Sequence, residues 1–211
     1  MNVSVIVQAR MTSSRLPGKV MLPLGSKTVL GEVLTRCWQI NRINQVCCAI
    51  PIGAEHDILE EEIKKYKAIL FRGSENNVLE RYYEAAKFLK ADIIMRITSD
   101  CPLINSEVCG KVLEKHIITC SEYTCNNMPP TWPHGYDCEV FGINQLKEAV
   151  INSYLPQDFE HVTTWMRRSL KVLNLENPNG NQYSDRITLD TIEDYKKISE
   201  IFNEISITNN E

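Results

Sequence analysis

The first hundred residues alternate between short apolar runs and segments whose apolar residues have helical spacing. VSVIV (3–7) is a continuous β-branched run, which is typical of a strand covered on both faces. Further strands are predicted at 45–50, 68–71 and 92–97, and helices at 28–40, 57–67 and 75–90. This alternation limits the chain to an α/β fold with a largely parallel sheet.

The pattern changes after a predicted helix at 106–119. The segment 122–143, called the excursion below, holds three prolines and two glycines, and its end, DCEVFGI, is predicted to be a strand of different orientation. We expect the excursion to carry substrate contacts or an oligomer surface. The remaining predictions are helices at about 144–152, 158–169 and 192–204, and strands near 171–175 and at 186–189.

Composition excludes several classes of protein. With 211 residues and 43% hydrophobic content, the chain is expected to form a single domain, 1–211, around one substantial core. A net charge of −4 argues against a general nucleic-acid binder. No apolar run approaches the roughly 20 residues of a membrane span. The eight cysteines lack metal-site spacing, so we expect free thiols and a cytoplasmic protein.

The loop after the first predicted strand, ARMTSSRLPGK (9–19), concentrates positive charge and hydroxyl groups. We call it the opening loop. Because ligands of open α/β sheets bind beyond the carboxyl ends of strands, Arg10, Arg15 and Lys19 are expected to surround a polyphosphate, with backbone amides freed by Gly18. The loop is not a Walker A motif, since Ser13 and Val20 replace the required glycine and hydroxyl residue. The alternative is a solvated loop.

The opening loop resembles the N-terminal signature of the cytidylyltransferases that make CMP-activated acidic sugars, with the spore-coat polysaccharide branch as the best match. The resemblance continues through FRGSENNVLERYYEAA (71–86), RITSDCPLI (96–104), PHGYDCEVF (133–141), EHVT (160–163) and ITLDTIEDY (187–195). It implies a three-layer, Rossmann-like nucleotide-diphospho-sugar transferase fold with a mostly parallel mixed sheet. It also implies CMP transfer from CTP to a Kdo-, sialic- or legionaminic-like keto-sugar, release of pyrophosphate, Mg²⁺ dependence and a homodimer.

Two carboxylates are expected at the same edge of the sheet as the opening loop. Asp100 follows the fourth predicted strand and Asp190 follows RITL (186–189). The resemblance places the metal on these two residues, and hard oxygen ligands suit Mg²⁺ beside a triphosphate. Asp100, Asp190, Lys19, Arg10 and Arg15 are the predicted catalytic residues. The alternatives are a turn-forming role for Asp100 and an N-cap role for Asp190.

The resemblance also implies contacts to the nucleotide, and the chemistry of the residues themselves predicts contacts to the acceptor. Predicted nucleotide-binding residues are Ala9, Arg10, Ser13, Ser14, Arg15, Gly18, Lys19, Arg72 and Ser99. Arg72 would lie near the base, although a surface salt bridge explains it equally well. Predicted acceptor-binding residues are Arg96, His134, Asp137, Glu139 and His161. Asp137 and Glu139 are expected on one side of a strand, where exposed edge charges are the alternative.

Three functions compete. The first is a CMP-sugar synthetase, and the second is a nucleotidylyltransferase for a sugar phosphate, alditol phosphate or phosphonate. The third is a non-catalytic nucleotide-binding homologue, against which the presence of Lys19, Asp100 and Asp190 argues. For the first function the expected partners are CTP and a small sugar acceptor, with no nucleic acid and no membrane.

Overall fold

The computed structural model describes residues 1–208, with side chains described for 1–205. The strands are β1 (Val3–Gln8), β2 (Pro23–Leu24), β3 (Lys27–Thr28), β4 (Gln45–Pro51), β5 (Ile69–Gly73), β6 (Ile93–Thr98), β7 (Tyr123–Cys125), β8 (Glu139–Gly142) and β9 (Val172–Asn174). The α-helices are α1 (Val29–Trp38), α2 (Asp57–Lys65), α3 (Val78–Phe88), α4 (Ser106–Thr119), α5 (Ile143–Asn152), α6 (Pro156–His161), α7 (Thr164–Ser169) and α8 (Ile192–Thr208). Short 3₁₀ helices cover Lys19–Met21 and Ala54–His56.

Seven strands form one mixed sheet in the order β5-β4-β1-β6-β8-β7-β9, and β2 pairs with β3 in a separate hairpin. Strand β1 pairs in parallel with β4 and β6, and β4 pairs in parallel with β5. Strand β8 runs antiparallel to β6 and β7, which confirms the predicted change of orientation at the end of the excursion. The predicted mostly parallel mixed sheet is therefore confirmed.

The pleat of β1 explains the three layers. Val5 and Val7 point to one core, which is completed by α1, α2 and α4, while Ile6 points to a second core completed by α3, α5 and α7. A continuous apolar run is needed because both faces are covered. The hydroxyl of the fully buried Tyr82 on α3 donates to the carbonyl oxygen of Ile6 at 3.0 Å, which ties helix to sheet.

Two predicted elements are wrong in the second half of the chain. RITL (186–189) is not a strand, because its alternate amides bond to different segments: Ile187 N–H to the His134 oxygen and Leu189 N–H to the Asp100 oxygen, both at 2.8 Å. The helix predicted at 158–169 is divided into α6 and α7 at Val162, whose φ is 62°. This break lets the hydroxyl of Thr163 donate to Glu139 Oε1 at 2.9 Å.

The apolar residues of the excursion are used within the fold. Phe141 is fully buried, Met128 and Tyr136 pack against cores, and the indole N–H of Trp132 donates to the Leu175 oxygen at 2.8 Å. They therefore give no support to an oligomer surface, and the homodimer stays a prediction. Among the described residues, no helix is both long and apolar enough to cross a membrane.

Candidate active site

Two adjoining cavities open at the carboxyl ends of β1 and β6. The first, about 290 Å³, is lined by the opening loop together with residues of α3 and α6, and we call it the loop cavity. The second, about 270 Å³, is lined by parts of the excursion and by Arg96 and Arg167, and we call it the excursion cavity. Three residues line both cavities: Thr98, Asp100 and Asp190. A ligand in either cavity therefore reaches the same pair of carboxylates.

Lys19 joins the two carboxylates. Its Nζ lies 3.3 Å from Asp100 Oδ2 and 3.0 Å from Asp190 Oδ1, and it donates to the carbonyl oxygen of Leu189 at 2.5 Å. The side chain is directed there because Gly18, with a left-handed φ of 72°, turns the loop into the 3₁₀ helix that begins at Lys19. The structure thus brings Lys19, Asp100 and Asp190 together.

Asp190 is surrounded by cations. Arg15 lies 3.1 Å from its Oδ1, and Arg186, which the sequence analysis missed, lies 2.5 Å from its Oδ2. Burial raises the pKa of Asp190, but the hydrogen bond and charge of Lys19 and the charge of Arg15 outweigh burial, so the net pKa is lowered. The carboxylate is therefore held in its charged form.

The N-cap alternative for Asp190 is wrong. Thr191 Oγ1 accepts the amide of Asp194 at 3.2 Å, while Asp194 Oδ2 accepts the amides of Asp190 and Thr191 at 3.0 and 2.9 Å. These reciprocal bonds start α8 in the manner of a capping box, so the side chain of Asp190 remains available to the cavities.

The opening loop is held by contacts to neighbouring segments. Met11 N–H donates to Nδ1 of the fully buried His56 at 3.2 Å, and Thr12 Oγ1 donates to Glu75 Oε1 at 2.7 Å. Gly18 does not supply a free amide, because its N–H donates to the Met11 oxygen at 2.9 Å, and it does not line the loop cavity. Six other predicted loop residues do line that cavity: Ala9, Arg10, Ser13, Ser14, Arg15 and Lys19.

Glu55, His56 and Glu75 bring three possible metal ligands together. Because His56 Nδ1 accepts an amide hydrogen, the neutral ring carries its proton on Nε2, which faces the two carboxylates at 3.5 Å and 3.9 Å. A protonated Nε2 is no metal ligand. The cluster therefore orients the opening loop.

Arg72 lies outside both cavities. Its guanidinium lies 2.7 Å from Asp57 Oδ1 and 3.1 Å from Glu60 Oε2, so the structure has the ion pair that the sequence analysis gave as an alternative. The position of Arg72 gives no support to its predicted contact with the base. Ser99, by contrast, lines the loop cavity as predicted for a nucleotide contact.

The predicted acceptor residues separate into three groups. Arg96, His134 and Asp137 line the excursion cavity, whereas His161 lines the loop cavity with its neighbour Glu160. Glu139 lines neither cavity and is only 1% exposed. The structure contradicts both its predicted contact with sugar hydroxyls and the alternative of an exposed edge charge, because β8 is an internal strand between β6 and β7. Asp137 precedes β8 and accepts the Gly135 amide at 3.0 Å.

Glu139 is the centre of a buried ionic network. Arg96 lies 2.5 Å from its Oε2 and Arg167 lies 2.5 Å from its Oε1, while the hydroxyl of Tyr123 also donates to Oε1. Burial raises the pKa of Glu139, but the two guanidinium charges outweigh it, and the pKa is lowered to about 2. With two cations and one anion, the network itself carries one net positive charge, while the carboxylates Asp100, Asp137 and Asp190 line other parts of the excursion cavity.

Unpartnered polar atoms concentrate at the cavities. Seven buried side-chain polar atoms of the described residues lack a hydrogen-bond partner, and four belong to lining residues: Gln8 Oε1, Arg81 Nε, Arg96 Nε and Thr188 Oγ1. Because buried polar groups are normally satisfied, this distribution points to a polar ligand. Sequence reasoning missed Gln8, Arg81, Arg167 and Thr188, because nothing in their local pattern distinguishes them from ordinary strand-end and helical residues.

Comparison with known proteins agrees with this geometry. The family model described as cytidylyltransferase matches residues 4–209. The spore coat polysaccharide biosynthesis protein SpsF of Bacillus subtilis is 34% identical, over 95% of this chain and 86% of its own length. Among solved structures, a cytidylyltransferase from Leptospira borgpetersenii is 31% identical with a TM-score of 0.91, covering 100% of this chain and 95% of its own.

A more distant structure shows the same fold. A CMP:2-keto-3-deoxy-manno-octonic acid synthetase complexed with CTP has a TM-score of 0.74 at 14% identity, over 97% of this chain and 99% of its own. The family match spans nearly the whole chain, and the candidate site lies within it. The chain therefore belongs to the cytidylyltransferase family and is a nucleotidyltransferase.

Proposed function

We propose that the protein transfers CMP from CTP to an acidic keto-sugar and releases pyrophosphate, for the synthesis of a surface polysaccharide. In this proposal the loop cavity takes CTP and the excursion cavity takes the acceptor. The observation that carries it is the position of Asp100 and Asp190, joined by Lys19, where the two cavities meet. SpsF and the CTP-bound synthetase, as named above, are consistent with this chemistry.

The residues at the junction fit a hard divalent cation such as Mg²⁺. One oxygen of Asp100 and one of Asp190 lie within 3.3 Å of the same ammonium nitrogen, so both carboxylates can reach one cation. When bound, Mg²⁺ would polarise the α-phosphate and offset the charge that develops on it. Asp100 and Asp190 would hold the ion, and Lys19, which contacts both carboxylates, would keep them close to each other.

The reaction needs no covalent enzyme intermediate. A hydroxyl oxygen of the acceptor attacks the α-phosphorus from the excursion cavity, and the bond between the α-phosphorus and the bridging oxygen breaks. The hydroxyl proton passes to bulk water, and pyrophosphate, which keeps the bridging oxygen, remains among the cations of the loop cavity. Arg10, Arg15 and Lys19 would neutralise that leaving group, so catalysis depends on position and charge.

The excursion cavity suits an anionic acceptor with hydroxyl groups. On the wall formed by Arg96 and Arg167, the network around Glu139 carries an excess positive charge, and Arg96 Nε–H has no partner among the described residues, which suits a carboxylate. The Thr188 hydroxyl lacks a partner there, and His134 stacks on Tyr183 with ring centroids 5.1 Å apart, forming a wall for the sugar ring. A phosphate would satisfy the same charge, so a sugar phosphate is the second candidate acceptor.

Pyrophosphate release tests the proposal. We expect CTP with Mg²⁺ and a panel of acidic keto-sugars to give turnover, and sugar phosphates, alditol phosphates and phosphonates to give less. Turnover only with phosphorylated acceptors would replace the keto-sugar with the second candidate. Absence of turnover with every acceptor, in protein that binds CTP, would favour a non-catalytic homologue.

A further inference from the structure

Arg81 is a buried cation without an anionic partner among the described residues. It lies near the start of α3, is 2% exposed, and lines the loop cavity. Its Nη1 donates to the carbonyl oxygen of Ser74 at 2.5 Å, and its Nε has no hydrogen-bond partner in the described part of the chain. A buried charge is costly unless it is paired, so this position calls for an anion that the protein chain does not supply.

The surroundings of Arg81 are built to hold its side chain. A Cβ added to Gly73 would lie 2.8 Å from Arg81 Cγ, so only glycine leaves room for the side chain beneath the end of β5. Burial is the main reason that the pKa of Arg81 is lowered, and the neighbouring charge of Arg10 lowers it further. Arg10 and Arg81 are thus two neighbouring cations that face one cavity.

The other cations of the loop cavity already have carboxylate partners. Lys19 is paired with Asp100 and Asp190, and Arg15 is paired with Asp190. Neither Arg10 nor Arg81 has a carboxylate within ion-pair distance among the described residues. These two guanidinium groups are therefore the cations of the loop cavity that no described carboxylate pairs with directly, since Glu75 acts on Arg81 only from beyond ion-pair distance and does not outweigh its burial.

We propose that Arg81 is a phosphate-binding residue that, together with Arg10, holds the triphosphate of the nucleotide from the α3 side of the loop cavity. The inference rests on the proposed function, because it takes the loop cavity as the place of CTP. A guanidinium can donate two parallel hydrogen bonds to phosphate oxygens, and burial strengthens each of them. The sequence alone does not predict this role, because Arg81 lies within a helical pattern outside the opening loop.

Calorimetric binding of inorganic tripolyphosphate, without divalent metal, tests this inference. We expect Arg81→Gln and Arg10→Gln each to weaken binding about 10-fold to 100-fold, the range for losing a charge-assisted hydrogen bond. Because both residues contact one anion, the double variant should lose less than the product of the two single losses. Arg72→Gln is the matched control, since Arg72 is held by Asp57 and Glu60 outside the cavities, and it should bind like the original protein.

The possible results separate this inference from the proposed function. If the original protein does not bind tripolyphosphate, the assignment of the loop cavity to CTP fails, and this inference fails with it. If the original protein and Arg81→Gln bind equally, only the role of Arg81 is overturned. If Arg81→Gln does not fold, the ¹⁵Nε–¹H resonance of Arg81 in the original protein gives the answer: it should shift on adding tripolyphosphate, and an unchanged resonance overturns the role.

Discussion

Replacing Asp190 with asparagine should affect both turnover and stability. Asp190→Asn keeps the shape of the side chain but removes the charge that faces Lys19, Arg15 and Arg186. If Asp190 holds the metal, kcat should fall by several orders of magnitude, as expected when charge stabilisation at a phosphoryl centre is lost. Asp100→Asn should lower kcat similarly.

The stability cost comes mainly from Lys19. The side chains of Arg15 and Arg186 are 65% and 41% exposed, so water screens their ion pairs, but the side chain of Lys19 is only 11% exposed. In Asp190→Asn, Lys19 still contacts Asp100 and the Leu189 oxygen. The free energy of unfolding should therefore fall by about 1.5 kcal/mol, the lower end of the range for a hydrogen bond to a charged group. For a chain of this size, Tm should fall by roughly 3–6 °C.

The pH dependence gives an independent check. The pKa of Asp190 is lowered in the folded state, from an ordinary value of 3.8, so its contribution is present above that value and is lost as pH falls through the folded pKa. The Tm difference between the original protein and Asp190→Asn should therefore be constant at neutral pH and shrink below roughly pH 4.

The assay is steady-state kinetics over a Mg²⁺ series, beside thermal melts of Asp190→Asn and Asp100→Asn. Asp100 is the matched control for stability, because its ion pair with Lys19 is longer, 3.3 Å, and its side chain has no other ion pair with a described residue. Near-normal kcat in both variants at saturating Mg²⁺ would refute the metal assignment. An unchanged Tm in Asp190→Asn would refute the charge argument.

Four further predictions concern Lys19, Glu139, the choice of nucleotide and the oligomeric state. Lys19→Ala should weaken CTP affinity, measured by calorimetry, as well as kcat, because its charge acts on phosphates already present in the ground state; unchanged affinity would contradict this. Glu139→Gln removes the buried carboxylate that pairs with Arg96 and Arg167, whose side chains are 14% and 31% exposed, so the cost in denaturant unfolding should lie near the lower end for a broken buried pair, about 3 kcal/mol, whereas a loss below about 1 kcal/mol would show that the network is dispensable. CTP should support faster pyrophosphate release than UTP, and equal initial rates would remove base recognition from the proposal. Light scattering should show a homodimer, and a monomer at micromolar concentration would argue against it.

The sequence by itself determined the layers and the place of the site. The β-branched run at 3–7 requires a strand covered on both faces, and helical spacing in the intervals requires parallel connections. Because parallel strands end at one edge, the opening loop and Asp100 had to meet there, and the structure places them together. Local periodicity and strand direction were sufficient for this inference.

Tertiary structure alone decided which charged residues serve the cavities and which serve the fold. Lys19 and Asp190 are 171 positions apart in the sequence, and Arg96 and Glu139 are 43 apart, so no local sequence pattern predicts either ion pair. The sequence alone is compatible with an exposed position for Glu139. The structure places β8 between β6 and β7, and the buried carboxylate is there paired with two arginines. The sequence pattern around Arg81 predicts only a helix, and the position of α3 in the fold places this arginine in the lining of the loop cavity. The energy of an ion pair depends on burial and distance, and both are properties of the packed chain.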